Sequence, residues 1–193
     1  MIKVNGIGIV DIPIDDSNRL CYSYWKEMIR RCCSKKERLK FKNYNNCVVS
    51  PCWIIFSNFL RWFELNFRYD LQYLSLNLDK DMLSINKDFK IYSPKTCCFI
   101  PKNINLFFTN IKSYNTTGCT GVVWDKYRRK WRAQIRDFST GKTKNLGRYE
   151  NKEDALRAYI KYRNKNISMV KMYLKSLGYN DIILNKIKFM EEI

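Results

Sequence analysis

The stretch that decides the fold of the carboxy-terminal half is KWRAQIR, residues Lys130–Arg136. Successive side chains of a β-strand point to opposite faces of the sheet, so alternation along this stretch separates two faces. The apolar face consists of Trp131, Ala133 and Ile135. The basic and polar face consists of Arg132, Gln134 and Arg136. The pattern predicts a strand that packs on a core with the first face and turns the second outward.

Further strands and a helix are predicted on either side of this one. Residues 121–125 and 144–149 have strand composition, and Gly141 marks a turn within residues 137–142. Asn151 is predicted to cap a helix that ends near Asn164, because acidic residues fill its first turn and apolar residues follow. We therefore expect three antiparallel strands packed on one helix.

The composition favours a polyanionic partner. Lys and Arg number 36 against 18 Asp and Glu in 193 residues, which gives a formal charge of +18. Such a field attracts nucleic acid. A membrane partner is not expected, because no apolar run approaches the roughly 18 residues of a membrane span. The amino end lacks the features of a secretory signal, so the protein is predicted to stay in the cytoplasm.

An outward row of Arg, Gln and Arg suits the DNA major groove, because Arg pairs bidentately with guanine and Gln with adenine. Solvation of a basic face is the alternative explanation. The residues that this pattern predicts to contact double-stranded DNA are Arg128, Arg129, Lys130, Arg132, Gln134, Arg136 and Lys144.

Five separated motifs in this half resemble the Apetala-two/ethylene-response-factor (AP2/ERF) domain: Gly121-Val122, Lys130–Arg136, Leu146-Gly147-Arg148-Tyr149, Glu153-Asp154-Ala155 and Ala158-Tyr159. In that family the sheet enters the major groove, which implies DNA contacts from Thr143 and Asn145 as well as Gln134 and Arg136. This chain departs from the family at three positions: Thr120, Val123 and Asn145. The family's sequence preference is therefore not carried over.

The amino-terminal half predicts two amphipathic helices and then a ββα unit. Apolar residues recur at helical spacing in 22–33 and 53–67, the latter preceded by Pro51, with a basic loop at 34–46 between them. Residues 74–83 and 91–100 are predicted strands, separated by a loop at 85–90, and Pro94 interrupts the second strand. A helix is expected to begin near Lys102.

The motifs of this half resemble phage HNH homing endonucleases, which often carry an AP2-type domain behind the nuclease: Tyr24-Trp25-Lys26-Glu27-Met28, Arg31-Cys32, Leu78-Asp79-Lys80-Asp81, Tyr92-Ser93-Pro94-Lys95-Thr96-Cys97 and Asn105. The resemblance implies that Asp79 and Asn105 hold Mg²⁺ or Mn²⁺ and that Thr96 replaces the family's middle Asn. Lys80 stands where many relatives have a catalytic His, and the chain contains no histidine. The implied catalytic residues are Asp79, Lys80 and Asp81.

A lysine of ordinary pKa, about 10.4, is charged at neutral pH and cannot accept a proton from water. Three alternatives follow. Cleavage could use Asp81 or a metal-bound water as the base, the nuclease fold could serve only for binding, or the motif could align differently. Asp79 and Asp81 could also simply form a turn.

The cysteines leave two interpretations open. Thiols from separated segments could hold a structural zinc ion: Cys32 or Cys33, Cys47, Cys52, and Cys97 or Cys98. No C-x-x-C pair occurs, so buried free thiols are favoured over zinc.

The sequence thus predicts an α+β protein in four parts: an HNH-like ββα-metal module with flanking helices at 1–112, a linker at 113–118, an AP2/ERF-like domain with a three-stranded antiparallel sheet on one helix at 119–165, and a helical tail at 166–193. The predicted function is sequence-specific DNA binding coupled to metal-dependent cleavage, as in a phage protein acting in the cytoplasm of its bacterial host. The alternative is a non-catalytic, regulatory DNA-binding protein. An RNA-binding or protein-inhibiting factor is a third hypothesis.

Overall fold

The computed structural model describes residues 2–40, 46–83, 90–109 and 121–187. The chain forms two compact units, Met1–Lys102 and Asn103–Ile193, which are described separately below. Both combine helices with small sheets, so the predicted α+β class is confirmed. The units divide earlier than the predicted domain end at residue 112, and the predicted linker at 113–118 lies outside the described residues.

The first unit is organised by helices that share an aromatic core. Helix α1 (Arg19–Cys33) confirms the first amphipathic prediction, and α2 (Lys35–Lys40) is a short helix where a loop was predicted. The second predicted helix is divided in two: a 3₁₀ turn (Pro51–Ile54) precedes α3 (Phe56–Asn66). The large side chains that are fully buried between these elements are Trp25, Trp53, Phe56, Phe59 and Phe63.

Six short strands complete this unit: β1 (Ile2–Val4), β2 (Gly8–Val10), β3 (Cys47–Val49), β4 (Leu76–Asp79), β5 (Lys90–Tyr92) and β6 (Cys98–Pro101). They form three two-stranded sheets, β1–β2 and β4–β6 antiparallel and β3–β5 parallel.

The predicted strand over residues 91–100 is interrupted at Pro94, as expected. Its two pieces do not continue one strand, because β5 belongs to one sheet and β6 to another. Pro94 has no N–H to donate to a sheet, and the chain turns there: the N–H groups of Thr96 and Cys97 both donate to the carbonyl of Ser93. Strand β4 is also shorter than the predicted 74–83 and ends at Asp79.

The second unit contains the three-stranded sheet that was predicted around residues Lys130–Arg136. Strands β7 (Val122–Asp125), β8 (Lys130–Arg136) and β9 (Thr143–Tyr149) are antiparallel in the order β7–β8–β9. The register shifts between Ala133, opposite Gly147, and Gln134, opposite Asn145. Leu146 is thus an extra residue in β9, which forms a β-bulge.

Three helices accompany this sheet: α4 (Lys102–Thr109), α5 (Lys152–Ser176) and α6 (Asp181–Lys186). Asn151 caps α5 by accepting the N–H of Asp154 at 2.8 Å, as predicted. Helix α5 continues through Asn164, where the sequence predicted its end, so much of the predicted tail belongs to this helix. In the described residues, no helix has both the length and the apolar character needed to cross a membrane.

One side of the sheet packs on α5. The buried residues of this core are Val122, Ala133, Ile135, Ala155, Tyr159 and Ile160. Gly121 precedes the sheet with a φ of +76°, and a Cβ at that position would clash with the Tyr159 ring. The helix can lie this close to the sheet because Gly121 has no side chain.

Candidate nucleic-acid interface

The side of the β7–β8–β9 sheet that faces away from α5 is called the outer face. Its central row is Arg132, Gln134 and Arg136, whereas Ala133 and Ile135 are buried on the other side. The register places Arg148, Asn145 and Thr143 of β9 opposite these three residues, in that order. Cross-strand neighbours lie about 4.5 to 5.5 Å apart, so the two strands form a double row of polar side chains.

One end of the outer face is neutralised by acidic residues. Asp125 accepts a hydrogen bond from the Arg148 Nε at 3.1 Å, which lowers the pKa of its carboxyl, and Arg128 lies at 3.7 Å from the same oxygen. Lys130 pairs with Glu150 at 2.7 Å. These cations are already partnered within the fold.

Arg132 and Arg136, in the central row of the outer face, lack such acidic partners in the described part of the chain. Among the described residues, neither Arg132 nor Arg136 forms an ion pair with a carboxylate. The Nε atom of Arg132 is buried and has no hydrogen-bond partner in that part of the chain. Arg132 lies opposite Arg148, whose charge is offset by Asp125. Arg132 and Arg136 are thus the cations of the double row that have no acidic partner among the described residues.

Two amides lie side by side in the middle of this row. Gln134 is directly opposite Asn145. The Oδ1 of Asn145 accepts the backbone N–H of Gly147 at 3.0 Å, so its amide nitrogen is left as a donor. Thr143 lies opposite Arg136 and is exposed.

Three residues predicted to contact DNA, Lys144, Arg128 and Arg129, lie outside the double row of the outer face. The Nζ of Lys144 lies 4.8 Å from the ring centre of Tyr162 on α5, so Lys144 packs toward the helix and not with the outward row. Arg128 and Arg129 belong to the β7–β8 hairpin turn, where Arg129 adopts a left-handed φ of +50°. Tyr127, at the tip of this turn, is fully exposed.

A buried polar network holds the end of β8 against α5. Asn166, which is completely buried, donates to the Arg136 carbonyl at 3.1 Å and accepts the Phe138 N–H at 3.4 Å. Asp137 accepts hydrogen bonds from Ser139, Tyr162 and Thr140, and these bonds hold the pKa of its carboxyl far below the usual range. The turn after Arg136 is therefore fixed by its own side chains.

Sequence reasoning missed two contributors to this region. Arg148 faces outward because the bulge at Leu146 reverses the alternation within β9, and no simple periodicity reveals such a reversal. Asn166 was missed because it lies in the segment predicted as a separate helical tail. Its helical spacing from Tyr159 and Tyr162 was the signal that could have placed it on the same buried helix face.

The predicted catalytic cluster lies in the first unit, where Asp79 forms a turn. Its Oδ1 accepts the N–H groups of Asp81 at 3.0 Å and Met82 at 2.7 Å. Burial raises the pKa of the Asp79 carboxyl, and these hydrogen bonds offset only part of that effect. The geometry matches the turn alternative that the sequence left open.

Lys80 and Asp81 form an ion-pair group beside this turn. The Asp81 carboxylate lies 2.9 Å from the Lys80 Nζ and 3.1 Å from the Lys90 Nζ. Burial alone would lower the pKa of Lys80, but the attraction of Asp81 outweighs it and the net pKa is raised. A lysine in this state stays protonated at neutral pH and does not act as a general base.

The two predicted metal ligands belong to different units, Asp79 to the first and Asn105, on α4, to the second. Within the described ranges, no three Cys, Asp or Glu side chains are grouped to hold a metal ion. Cys32, Cys47, Cys97 and Cys98 are buried, and burial raises the pKa of the Cys97 thiol to about 12. Burial also raises the pKa of the Cys98 thiol. A zinc ligand is a thiolate, so Cys97 and Cys98 would have to lose their protons against this effect.

The fold defines an α+β protein whose outer face carries two arginines, Arg132 and Arg136, without an acidic partner among the described residues. Comparison with protein-family models, with curated proteins and with solved structures finds no match. The resemblances to HNH nucleases and AP2/ERF domains therefore stay predictions.

Proposed function

We propose that this protein binds double-stranded DNA through the outer face of the β7–β8–β9 sheet. The observation that carries the proposal is the row Arg132, Gln134 and Arg136, which faces away from the core and contains two guanidinium groups without an acidic partner among the described residues. Arg and Gln are the side chains that pair bidentately with guanine and adenine.

The charge of the whole chain supports the same partner. A net charge of +18 concentrates a polyanion near the protein before any specific contact forms. The acidic side chains at one end of the outer face, Asp125 and Glu150, pair with cations there, whereas Arg136 at the other end forms no ion pair among the described residues. This end is the expected centre of DNA contact.

The test compares two variants with the same change in charge. Arg136→Ala removes a cation from the outer face, and Lys161→Ala removes an exposed cation from α5. Affinity for duplex fragments selected from a random pool is measured by fluorescence anisotropy at several salt concentrations. We expect Arg136→Ala to cost about 1 to 3 kcal/mol on the preferred site and Lys161→Ala to cost much less.

Equal losses for the two variants on all sequences would contradict base contact by Arg136. Stronger binding of structured RNA than of duplex DNA, in competition at the same salt concentrations, would contradict the proposed partner and favour the RNA-binding alternative.

Metal-dependent cleavage rests on the resemblance to HNH nucleases alone. In the structure Asp79 is engaged in its own turn and Lys80 in an ion pair, so DNA binding without cleavage is the function that the geometry supports best. A plasmid-nicking assay of the purified chain with Mg²⁺ or Mn²⁺ separates the two functions. Nicking by the wild type that is lost in Asp79→Ala would support metal-dependent cleavage and contradict binding alone.

A further inference from the structure

We infer that the second unit has a second DNA-binding surface, on the α5 side of the sheet, which holds the phosphates of another duplex segment while the outer face holds the first. This surface consists of Lys144, Tyr162 and Lys165 and is called the Tyr162 patch. The inference goes beyond the proposed function, on which it rests for the first duplex, because it assigns a different surface and a second duplex to the same chain.

The two lysines of the patch share one aromatic ring. The Nζ of Lys144, on β9, lies 4.8 Å from the centre of the Tyr162 ring, and the Nζ of Lys165, on α5, lies 5.8 Å from it. A cation within about 6 Å of such a ring is attracted to it, and the carbon stem of a lysine covers apolar surface while its ammonium group stays in water. A contact between strand and helix therefore gathers both charges at one place.

The ring that carries these lysines has a fixed position. The hydroxyl of Tyr162 donates to the Oδ2 of Asp137 at 2.6 Å. Tyr162 is half-buried and packs against the core between the sheet and α5. Because one end of the ring is hydrogen-bonded and one side is packed, the patch is formed before any ligand binds.

The charges of the patch have no counter-charge in the described part of the chain. Among those residues, neither Lys144 nor Lys165 forms an ion pair with a carboxylate, and both are exposed. The carboxylate bonded to the ring, Asp137, is engaged by Tyr162 and by its own turn. Two exposed cations held together in this way suit an anion that offers charge at more than one point, as a nucleic-acid backbone does.

The patch and the outer face lie on opposite sides of the sheet. Lys144 is directly opposite Ile135, whose side chain is buried against α5. Directly opposite residues of two paired strands share a face, so Lys144 points to the α5 side, whereas its neighbours Thr143 and Asn145 belong to the outer face. A straight duplex on the outer face therefore does not reach the patch, and a second segment is required.

The chemistry of the patch is that of a backbone contact. Lysine binds phosphate as a point charge, whereas base recognition uses bidentate groups such as those of Arg, Asn and Gln. The cations of the patch are lysines, so we expect contacts with phosphates and no sequence preference. Duplex DNA is the expected partner because, once the outer face holds one duplex, neighbouring segments of the same DNA are present at high local concentration.

The experiment counts the duplexes that one chain binds. A short duplex with the selected site and a differently labelled duplex of unrelated sequence are mixed with the full chain, and two-colour sedimentation gives the composition of the complexes at several salt concentrations. At low salt we expect wild type to form a complex of one chain with one duplex of each label.

The test variant is Lys144→Gln/Lys165→Gln. It should bind the first duplex as wild type does and the second about 10- to 100-fold more weakly at about 0.1 M salt, because each lost phosphate contact removes the release of about 0.9 counterion. For the same reason, the plot of log affinity against log salt for the second duplex should become shallower by about 2.

Two control variants make the comparison specific. Lys175→Gln/Lys186→Gln removes two exposed cations of the same unit, at the ends of α5 and α6, and should capture the second duplex as wild type does. Lys144→Arg/Lys165→Arg keeps both charges of the patch and should also retain the second duplex. Thermal unfolding of each variant establishes that the sheet and α5 still form.

Four outcomes would overturn the inference. The second duplex is absent at the lowest salt while the first binds, both glutamine variants capture it equally, structured RNA or an acidic peptide displaces it at lower concentration than duplex DNA does, or the complexes contain two chains and two duplexes. Arg136→Ala separates this inference from the proposed function, because it should weaken the first duplex and leave the second. An unchanged first duplex in Arg136→Ala would contradict the proposed function alone, and a wild type that binds no duplex would contradict both.

Discussion

The carboxamide of Asn166 on α5 donates to the main-chain carbonyl of Arg136 at the end of β8. This hydrogen bond connects a completely buried helix residue with the residue whose side chain is proposed to contact DNA. The oxygen of the same carboxamide accepts the N–H of Phe138. Both the nitrogen and the oxygen of the side chain are therefore hydrogen-bonded to the backbone of residues 136–138. The helix thereby fixes the backbone of the outer face at its Arg136 end.

Asn166→Ala is expected to destabilise the second unit by about 1 to 3 kcal/mol, because it leaves buried backbone groups without their partner. Denaturant unfolding measures the loss, and amide exchange at Phe138 should become faster. Ser168→Ala, on an exposed position of the same helix, should change stability by no more than about 0.5 kcal/mol. Equal stability of the two variants would show that the Asn166 bonds contribute nothing.

The second unit is expected to lose stability in acid through Asp137. Its hydrogen bonds from Ser139 and Tyr162 lower the pKa of the carboxyl in the folded state, so the ionised form stabilises the fold. This contribution is complete above the unfolded pKa of about 3.9 and is lost as pH falls below it. The stability of wild type should therefore fall between about pH 4 and pH 2 more steeply than that of Asp137→Asn, as measured by urea unfolding. Parallel curves for the two proteins would contradict this assignment.

Gly121→Ala should destabilise the second unit more than Gly141→Ala does. Both glycines have a left-handed φ, at +76° and +64°, which costs an alanine about 1 to 2 kcal/mol. Only at Gly121 would the added Cβ also meet the Tyr159 ring and the Gln134 carbonyl, and overpacking adds about 1 to 3 kcal/mol. Thermal unfolding of the pair measures the combined cost of these two contacts. Equal losses would contradict the close packing at Gly121.

Asp79→Asn tests whether this residue serves a turn. The amide keeps an oxygen that can accept the N–H groups of Asp81 and Met82 and removes a carboxylate whose pKa is raised by burial. A raised pKa means that the protonated form is favoured in the folded state, so wild type gains stability relative to the variant as pH falls through that pKa. At neutral pH the variant should be as stable as wild type or more so by denaturant unfolding.

The matched control for this variant is Asp81→Asn. The attraction of Lys80 and Lys90 outweighs burial and lowers the pKa of Asp81, so removing its charge should destabilise the protein at neutral pH. If instead Asp79 holds a metal, Mg²⁺ or Mn²⁺ should raise the melting temperature of wild type and leave Asp79→Asn unchanged. That result would contradict the turn assignment.

The strand Lys130–Arg136 was predicted residue for residue, and α1 nearly so, because both depend on a local periodicity that burial on one face imposes. The cap at Asn151 was predicted for the same reason: capping involves residues only three apart. The interruption at Pro94 was predicted, but the separation of residues 91–100 between two sheets was not. Which sheet a segment joins depends on distant partners, Cys47–Val49 for one half and Leu76–Asp79 for the other.

The sequence by itself determined which side chains of β8 face outward, since alternation in an unbroken strand is a property of the backbone. Only the tertiary structure decided what surrounds them. The bulge at Leu146 turns Arg148 outward, and the continuation of α5 brings Asn166 beneath Arg136. Asp125 neutralises one end of the face and leaves the other end free. These relationships join residues far apart in the chain, and their geometry is fixed only when sheet and helix pack together.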